Sequence, residues 1–469
     1  MIFNSIFFFA TLSIFLAIYF AMKKKRSIKA KVVTLSYSYF FYGMWNPAYL
    51  LLIMTSTIID YLAAIGIEVY PEKKKLFLIV SLTVNLGLLG FFKYFNFFID
   101  SIAILASLLG FTWEPPLLKI ILPIGISFYT FQTLSYTIDV YRGEVPAKRQ
   151  LLDIALFVAF FPQLVAGPIV RAKSFLPQLS KEPIIRKQDI ANGVILILFG
   201  LFLKVVIADN VAFRVNTLFS NWQSNGIPEN WAAAMLFGVQ IYGDFAGYSL
   251  IAIGIAKIMG YYIPRNFNAP YTAAGFSDFW RRWHISLSLW LRDYLYISLG
   301  GNRKGTRRTY SNIMITMLLG GLWHGASFMF IFWGVLHGMY LCVERLLREY
   351  FREISIVNRC MQRLMLGFVI VFTYLMVSIT WIPFRAVTVE QGISMMKGLF
   401  YGNSHFDKRL IIDFLVIGGL FLSHCVSRKY DFLKCVEQNS TVRFITITFI
   451  LLSFYYYSGE RTDFIYFQF

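Results

Sequence analysis

The chain has 469 residues, of which 57% are apolar and only 15% charged, and its formal net charge is +19. Soluble domains carry about 25% charged residues, so the composition excludes a water-soluble body of this length and favours a bilayer as solvent. The lysines and arginines stand in short clusters between apolar runs, as in cytoplasmic loops, which argues against nucleic-acid binding. The four cysteines lack CxxC spacing and predict neither disulfides nor a zinc site.

Apolar runs in the first part of the chain predict membrane-spanning helices. The run 2–21 precedes the basic cluster 23–26, the reverse of a cleavable signal peptide. We therefore expect a retained span with the N-terminus outside. Further spans are predicted at 32–67 (a pair around Trp45), 76–98 and 119–140. The apolar run 151–170 has basic flanks and two prolines, which favours a re-entrant hairpin.

In the second part, residues 311–346 would be about 54 Å long as one helix. That is too long for one span of about 30 Å, so we predict a helical pair turning at 325–327. Residues 284–299 lie between basic flanks and predict a second re-entrant or interfacial helix, whereas 209–230 is expected to be a loop. The remaining predicted spans are 191–208, 231–258, 364–384, 411–427 and 444–458.

These elements predict an all-α polytopic membrane protein with roughly twelve spans and both termini outside. No internal repeat period and no low-complexity linker divides the sequence. We therefore expect a single domain over residues 1–469.

Two of the five histidines stand in unusual surroundings. His324 lies in an apolar segment with glycines beside it, and an ionisable side chain at membrane depth usually lines a functional cavity. His284 follows two arginines and two tryptophans. A helix-packing role for His324 and an interfacial anchoring role for His284 stay open. The other three are expected to be structural: His337, His405 and His424.

Polar side chains also interrupt the apolar span 231–258, at Gln240, Tyr242 and Asp244. Asp244 has no basic residue three or four positions away, so it needs a partner on another helix or water. Arginines crowd the expected inner mouth, where most would mark the cytoplasmic side and a minority could bind the phosphates of a donor. These arginines include Arg281, Arg282 and Arg303.

The absence of HExxH, GxSxG and Walker A sequences argues against a zinc protease, a serine hydrolase and an ATP-driven pump. No metal is expected. On the residues alone, a transporter or flippase with His324 and Asp244 in its substrate or proton path is supported as well as an enzyme. A non-catalytic scaffold of an export machinery also stays open.

Six segments carry a more specific signal: Gly125–Arg142, Phe161–Pro168, Gln240–Ser249, Asp278–His284, Leu322–Gly325 and the C-terminal Phe464–Phe469. Together they resemble the alginate O-acetylase branch of the membrane-bound O-acyltransferase family, over nearly the whole chain. The resemblance implies a multi-helix fold around a central funnel or tunnel in the bacterial inner membrane. It also implies cytoplasmic acetyl-CoA as donor substrate, with no bound cofactor.

The resemblance further implies a partner, an extracytoplasmic acetyltransferase of SGNH type or similar, which would modify alginate or another cell-surface polysaccharide. The family's near-invariant histidine corresponds to His324, and its second histidine or asparagine position corresponds to His284. We expect His324 to act as a base, Trp323 and the polar residues above to line the donor site, and Tyr466 to be the relay nucleophile. A C-terminal tail that only packs or docks a partner stays open.

Overall fold

The computed structural model describes residues 3–22, 24, 26–111, 113, 118–351, 358–404, 407–430, 432–457, 462, 464 and 465. Within them the regular structure is helical throughout, so the all-α prediction is confirmed. Eight helices in this described part are long and apolar enough to cross a membrane: Tyr49–Val69, Pro71–Leu108, Lys187–Ser220, Ile227–Ile258, Phe328–Tyr350, Arg359–Arg385, Arg409–Lys429 and Ser440–Tyr457.

The protein is therefore a multi-pass membrane protein, but the count of roughly twelve spans is not confirmed. Several predicted spans form helices that are too short. Ile126–Tyr141, for example, has 16 residues, against about 20 that a span needs. The positions of both termini relative to the membrane stay predictions, and residues 23, 25 and 466–469 lie outside the described part.

The chain divides into two compact units, and the first comprises residues 1–197 and 251–264. Its helices are α1 (Ile6–Ala21), α2 (Ile28–Gly43), α3 (Tyr49–Val69), α4 (Lys74–Leu89), α5 (Phe95–Leu108), α6 (Ile126–Tyr141), α7 (Leu151–Ala159), α8 (Phe161–Leu164), α9 (Ala172–Leu179) and most of α10 (Lys187–Leu201). A 3₁₀ turn at Pro71–Lys73 and a π-helical turn at Gly90–Tyr94 adjoin α4. The break between α7 and α8 lies in the predicted hairpin 151–170.

The second unit comprises residues 198–250 and 265–469. Its helices are α11 (Asp209–Ser220), most of α12 (Ile227–Ile258), α13 (Phe276–Arg282), α14 (Ile285–Trp290), α15 (Thr306–His324), α16 (Phe328–Tyr350), α17 (Arg359–Arg385), α18 (Val389–Lys397), α19 (Arg409–Lys429), α20 (Phe432–Gln438) and α21 (Ser440–Tyr457). Two π-helical segments, Phe202–Ala208 and Leu291–Tyr296, and a 3₁₀ turn at Pro270–Thr272 complete it. The expectation of one domain over 1–469 stays a prediction.

The helical pair expected in 311–346 is confirmed, since α15 ends at His324 and α16 begins at Phe328. Ser327 caps α16 by accepting a hydrogen bond from the Phe330 N–H, which fixes the turn. The loop expected at 209–230 is wrong over its first half. Apolar side chains at three- and four-residue spacing form the buried face of α11 there.

Glycines let α15 and α16 approach closely where they cross. A Cβ atom at Gly321 would lie 2.2 Å from the Phe330 carbonyl oxygen, and one at Gly334 would lie 2.4 Å from the Met317 carbonyl oxygen. Only glycine fits this backbone contact. The crossing therefore fixes the position of the α16 aromatic side chains relative to the end of α15.

Candidate active site

His324 is buried at the C-terminal end of α15. Its imidazole lies in an aromatic enclosure, with ring centroids 5.0 Å from Trp323, 5.0 Å from Trp333 and 5.1 Å from Phe384. The enclosure excludes bulk water, while the C-terminal carbonyls of α15 favour positive charge beside them. These carbonyls offset part of the cost that burial imposes on a positive charge at His324.

His284 is fully buried and has left-handed backbone angles, with φ 41° and ψ 53°. That conformation costs a residue other than glycine about 1 kcal/mol, so the surrounding structure must hold it. Asn266 does so, because its carbonyl accepts the Ile285 N–H at 2.9 Å and its Oδ1 accepts the Ser286 N–H at 3.1 Å. Backbone strain held in this way is typical of functional positions.

His284 lies outside the eight candidate spans, and burial lowers its pKa to about 3. Its ring is therefore neutral at physiological pH. A neutral imidazole carries one N–H donor and one acceptor nitrogen, so it can donate a hydrogen bond to an oxygen without bringing a charge into an apolar site.

The structure brings His284 and His324 together, with their ring centroids 6.4 Å apart. Trp323 contacts both rings, at 5.7 Å from His284 and 5.0 Å from His324. At this separation a single oxygen atom can lie within about 3 Å of a nitrogen on each ring. Two histidines that are 40 positions apart in sequence thus lie side by side, and their catalytic roles stay predictions.

The C-terminal segment approaches the same site. The Phe464 ring lies 6.3 Å from Phe245, and the Phe245 ring lies 4.6 Å from His284. Ile465 is buried as well. Tyr466, the expected nucleophile, is the next residue and lies outside the described part, so its role stays a prediction.

A buried ionic cluster holds this segment. Asp244, for which the sequence required a partner on another helix or water, forms an ion pair with Lys204, with 2.8 Å between Asp244 Oδ1 and Lys204 Nζ. Lys204 also lies 2.7 Å from Asp209. The Ile465 N–H donates to Asp244 Oδ2 at 2.5 Å, and the Thr462 hydroxyl donates to Asp209 Oδ1 at 2.5 Å.

Three polar residues of α12 lie one turn apart on a single face: Gln240, Asp244 and Tyr248. Phe464 contacts Tyr248 at 5.1 Å and Ile465 contacts Asp244, so the segment advances toward the N-terminal end of α12. Gln240 lies one helical turn further toward the N-terminal end of α12, on the same face. Its Oε1 atom is buried and has no hydrogen-bond partner among the described residues. Tyr242, in contrast, packs its ring on His424, at 4.5 Å.

A groove of about 520 Å³ opens among α13, α14, α15 and α16. Its walls are mainly apolar, and three arginines line it: Arg292, Arg345 and Arg348. Trp280 forms part of the wall and contacts Trp333 at 5.7 Å, while Trp333 contacts His324. One indole ring thus separates the groove wall from the His324 imidazole.

None of the arginines expected to bind donor phosphates lines this groove. Arg282 is held by Asp278 at 2.9 Å and also donates to the Asn268 carbonyl, whereas Arg281 and Arg303 are exposed. The groove arginines have acidic neighbours of their own, since Arg345 pairs with Glu349 and Arg348 with Glu344. The Arg345–Glu349 pair is exposed, so it contributes little and can open for an anionic ligand. Glu344 is only 11% exposed and also accepts the Ser277 N–H, so only the Arg348 end of the second pair faces solvent.

The remaining histidines have contacts of the kind that a structural role requires. His337 Nε2 lies 3.0 Å from the Thr380 hydroxyl. His424 Nδ1 accepts the Tyr271 N–H at 3.4 Å, and its ring stacks on Tyr271. His405 lies outside the described residues.

The sequence analysis missed two members of the ionic cluster, Lys204 and Asp209. The signal was available, because Lys204 interrupts the apolar run 191–208 and an ammonium at membrane depth needs a carboxylate. The groove could not have been found from sequence, because its walls come from helices that only the fold brings together.

Residues 144–384 match the model of the MBOAT, membrane-bound O-acyltransferase family. Among similar proteins is one of Pseudomonas aeruginosa named "Probable alginate O-acetylase AlgI". It is 40% identical over 436 residues, which cover 91% of this chain and 80% of that protein. A "Peptidoglycan O-acetyltransferase" of Helicobacter pylori is 34% identical over 96% of this chain and 87% of its own length.

A more distant relative is a "Teichoic acid D-alanyltransferase" of Bacillus subtilis, which is 31% identical over 46% of this chain and 57% of its own length. The three names describe acetyl or D-alanyl transfer and mention alginate, peptidoglycan or teichoic acid. They favour an acyltransferase over the transporter, the flippase and the scaffold that the residues alone left open.

Proposed function

We propose that this chain, which belongs to the membrane-bound O-acyltransferase family, relays an acetyl group from cytoplasmic acetyl-CoA to the outer side of the membrane through Tyr466. It is a membrane O-acyltransferase on the strength of its family and relatives. The observation that carries the relay is the pair of buried imidazoles, 6.4 Å apart, beside the segment that leads into Tyr466.

The reaction is a transfer between a thioester and a phenol. A free tyrosine hydroxyl has a pKa of about 10, so it needs a base to attack at neutral pH. His324 takes the phenolic proton as the Tyr466 oxygen bonds to the carbonyl carbon. The carbon–sulfur bond then breaks, and the imidazolium returns the proton to the departing sulfur, so the products are coenzyme A and an acetylated tyrosine.

His284 has a different part in this proposal. Its ring is neutral, and its centroid lies 6.4 Å from that of His324. A donated hydrogen bond from His284 to the carbonyl oxygen stabilises the negative charge that develops there in the transition state. Such donors contribute about 10²–10³-fold to rate. The backbone strain at His284 fixes the direction of its ring.

The groove among α13, α14, α15 and α16 is where we place the donor. An acetylated pantetheine arm is mainly apolar and fits the groove walls, and the groove arginines can bind phosphate oxygens. Because Trp280 and Trp333 lie between the groove wall and His324, the end of the pantetheine arm must pass beside these rings to bring the thioester to the imidazole. We therefore assign the phosphate contacts to the groove arginines first, and to Arg281, Arg282 and Arg303 second.

The acceptor is a cell-surface polysaccharide, reached through a second protein. The three relatives are named for alginate, peptidoglycan and teichoic acid. Since proteins with similar sequences are named for three different polymers, we propose that the polymer is selected by a protein other than this chain. We propose an extracytoplasmic transferase of SGNH type or similar as the protein that accepts the acetyl group. We propose the bacterial inner membrane as the location of this chain.

Purified protein incubated with labelled acetyl-CoA tests the relay. We expect label on the C-terminal peptide of the wild type and none there in His324→Ala or Tyr466→Phe. The matched control is Tyr455→Phe, because Tyr455 is an exposed tyrosine at the end of α21 and should not affect labelling. A transporter would retain no covalent label. Full labelling of Tyr466→Phe would remove Tyr466 from the mechanism.

A further inference from the structure

The Lys204 cluster has more negative than positive charge. One ammonium lies between two carboxylates, those of Asp209 and Asp244, and the three side chains are only 1–7% exposed. Buried carboxylates are costly unless charge or hydrogen-bond donors balance them. A single lysine does not balance two acids, so the cluster needs additional donors.

The C-terminal segment supplies these donors. The Thr462 hydroxyl donates to Asp209, and the Ile465 N–H donates to Asp244, both at 2.5 Å. Lys204 in turn donates to the Thr462 carbonyl oxygen at 3.0 Å. The segment therefore supplies one donor to each carboxylate and receives one from Lys204. Hydrogen bonds to charged groups are among the stronger ones in proteins.

The cluster joins two helices that meet closely. Lys204 and Asp209 lie on the continuous helix Lys187–Ser220, in its π-helical segment 202–208 and at the start of α11, and Asp244 is in α12. Glycine makes the approach possible, because a Cβ atom at Gly247 would lie 2.6 Å from the Gly200 carbonyl oxygen. π-helical turns inside α-helices often mark functional sites.

The geometry points to a positioning role: the Lys204–Asp209–Asp244 cluster is a receptor for the C-terminal segment that holds Tyr466 at the two histidines during acyl transfer. This inference rests on the proposed function. It assigns the cluster to presentation of the nucleophile and not to donor binding. Phe464 completes the link, since it packs on Phe245, which packs on His284.

Thr462→Val tests the receptor with little disturbance, because it removes one hydroxyl and keeps the side-chain shape. The rate of C-terminal acetylation at saturating acetyl-CoA should fall about tenfold or more, the size expected for one hydrogen bond to a charged group. Equilibrium binding of a non-hydrolysable acetyl-CoA analogue should not change. Asp244→Asn, which keeps an acceptor oxygen but loses the charge, should act in the same direction, and Lys204→Arg should restore part of the rate lost in Lys204→Met.

A second measurement follows the segment itself. Carboxypeptidase should release the C-terminal residues faster from Thr462→Val than from the wild type, because the segment leaves its receptor more often. The control is Lys31→Met, which breaks a comparably buried ion pair, that of Lys31 with Asp153 at 2.6 Å, in the other unit. It should change neither C-terminal digestion nor the fraction of acetyl carried on Tyr466 in correctly folded protein.

The outcomes separate the two claims. Wild-type protein that is not acetylated on Tyr466 would refute the relay. If the wild type is acetylated on Tyr466 and Thr462→Val and Asp244→Asn are acetylated at the same rate, the receptor role is refuted and the relay is not. Unchanged carboxypeptidase release in those variants would also overturn it, whatever the rates. A weakened binding of the analogue in Thr462→Val would assign the cluster to donor binding instead.

Discussion

Substitution of Gly321 by alanine perturbs the site without touching either histidine. The new Cβ would lie 2.2 Å from the Phe330 carbonyl oxygen, whereas ordinary contacts of this kind exceed 3 Å. The two helices must therefore separate by about 1 Å. Because α16 carries Trp333, that shift moves a wall of the His324 enclosure. A misplacement of about 1 Å can lower an enzymatic rate about 10²-fold.

We expect Gly321→Ala to reduce acetyl transfer from labelled acetyl-CoA by about 10²-fold. Overpacking of this kind costs about 1–3 kcal/mol of stability, which the higher helix propensity of alanine partly offsets by about 1 kcal/mol. The unfolding temperature should therefore fall only slightly. Gly334→Ala should behave alike, since its Cβ would lie 2.4 Å from the Met317 carbonyl oxygen on the other side of the crossing.

The control is Gly367→Ala in α17, where an added Cβ would meet nothing within 4 Å. This variant should keep the wild-type rate and should be at least as stable as the wild type. A Gly321→Ala protein that folds and transfers acetyl at the wild-type rate would refute the argument that the helix crossing sets the geometry around His324.

Three further results are expected. The double variant Arg345→Gln/Arg348→Gln should raise the KM for acetyl-CoA severalfold at an unchanged kcat. A higher KM in Arg303→Gln and an unchanged KM in the double variant would place the phosphate contacts outside the groove. Because burial holds the pKa of His284 at about 3, its ring does not titrate between about pH 5 and 8. His284→Asn should thus lower the rate without altering the shape of the pH–rate profile, and a changed shape would contradict the neutral role. Burial raises the pKa of Asp278, but hydrogen bonds from the Ala274 N–H and Arg282 outweigh it and lower that pKa below 3.8. The stability that the ionised Asp278 contributes is present above pH 3.8 and is lost as the pH falls through its lower folded pKa. In Asp278→Asn the free energy of unfolding should therefore depend less on pH below about pH 4. An unchanged pH dependence in that range would contradict this argument.

The sequence allowed the local features of the site to be predicted. The turn at 325–327 follows from the length of an apolar run set against the thickness of a bilayer. The need of Asp244 for a partner follows from the cost of a buried carboxylate. Both inferences need only the order and type of the residues along the chain, and the structure agrees with both.

Features that depend on packing between distant segments escaped prediction. The segment 209–220 follows a predicted span, which predicts a loop there, yet tertiary burial of its apolar face makes it the helix α11. The groove exists only because α13 and α14 pack beside α15 and α16. The role of Asp209 depends on Thr462, which is 253 positions away along the chain.

Mass spectrometry of the C-terminal peptide after brief exposure to acetyl-CoA tests the relay most directly. We expect one acetyl group on Tyr466 in the wild type, lost on addition of a nucleophilic acceptor, and no acetyl group there in His324→Ala protein whose folding matches the wild type. An acetylated Tyr466 in His324→Ala at the wild-type rate, or an unmodified Tyr466 in active wild-type protein, would contradict the mechanism.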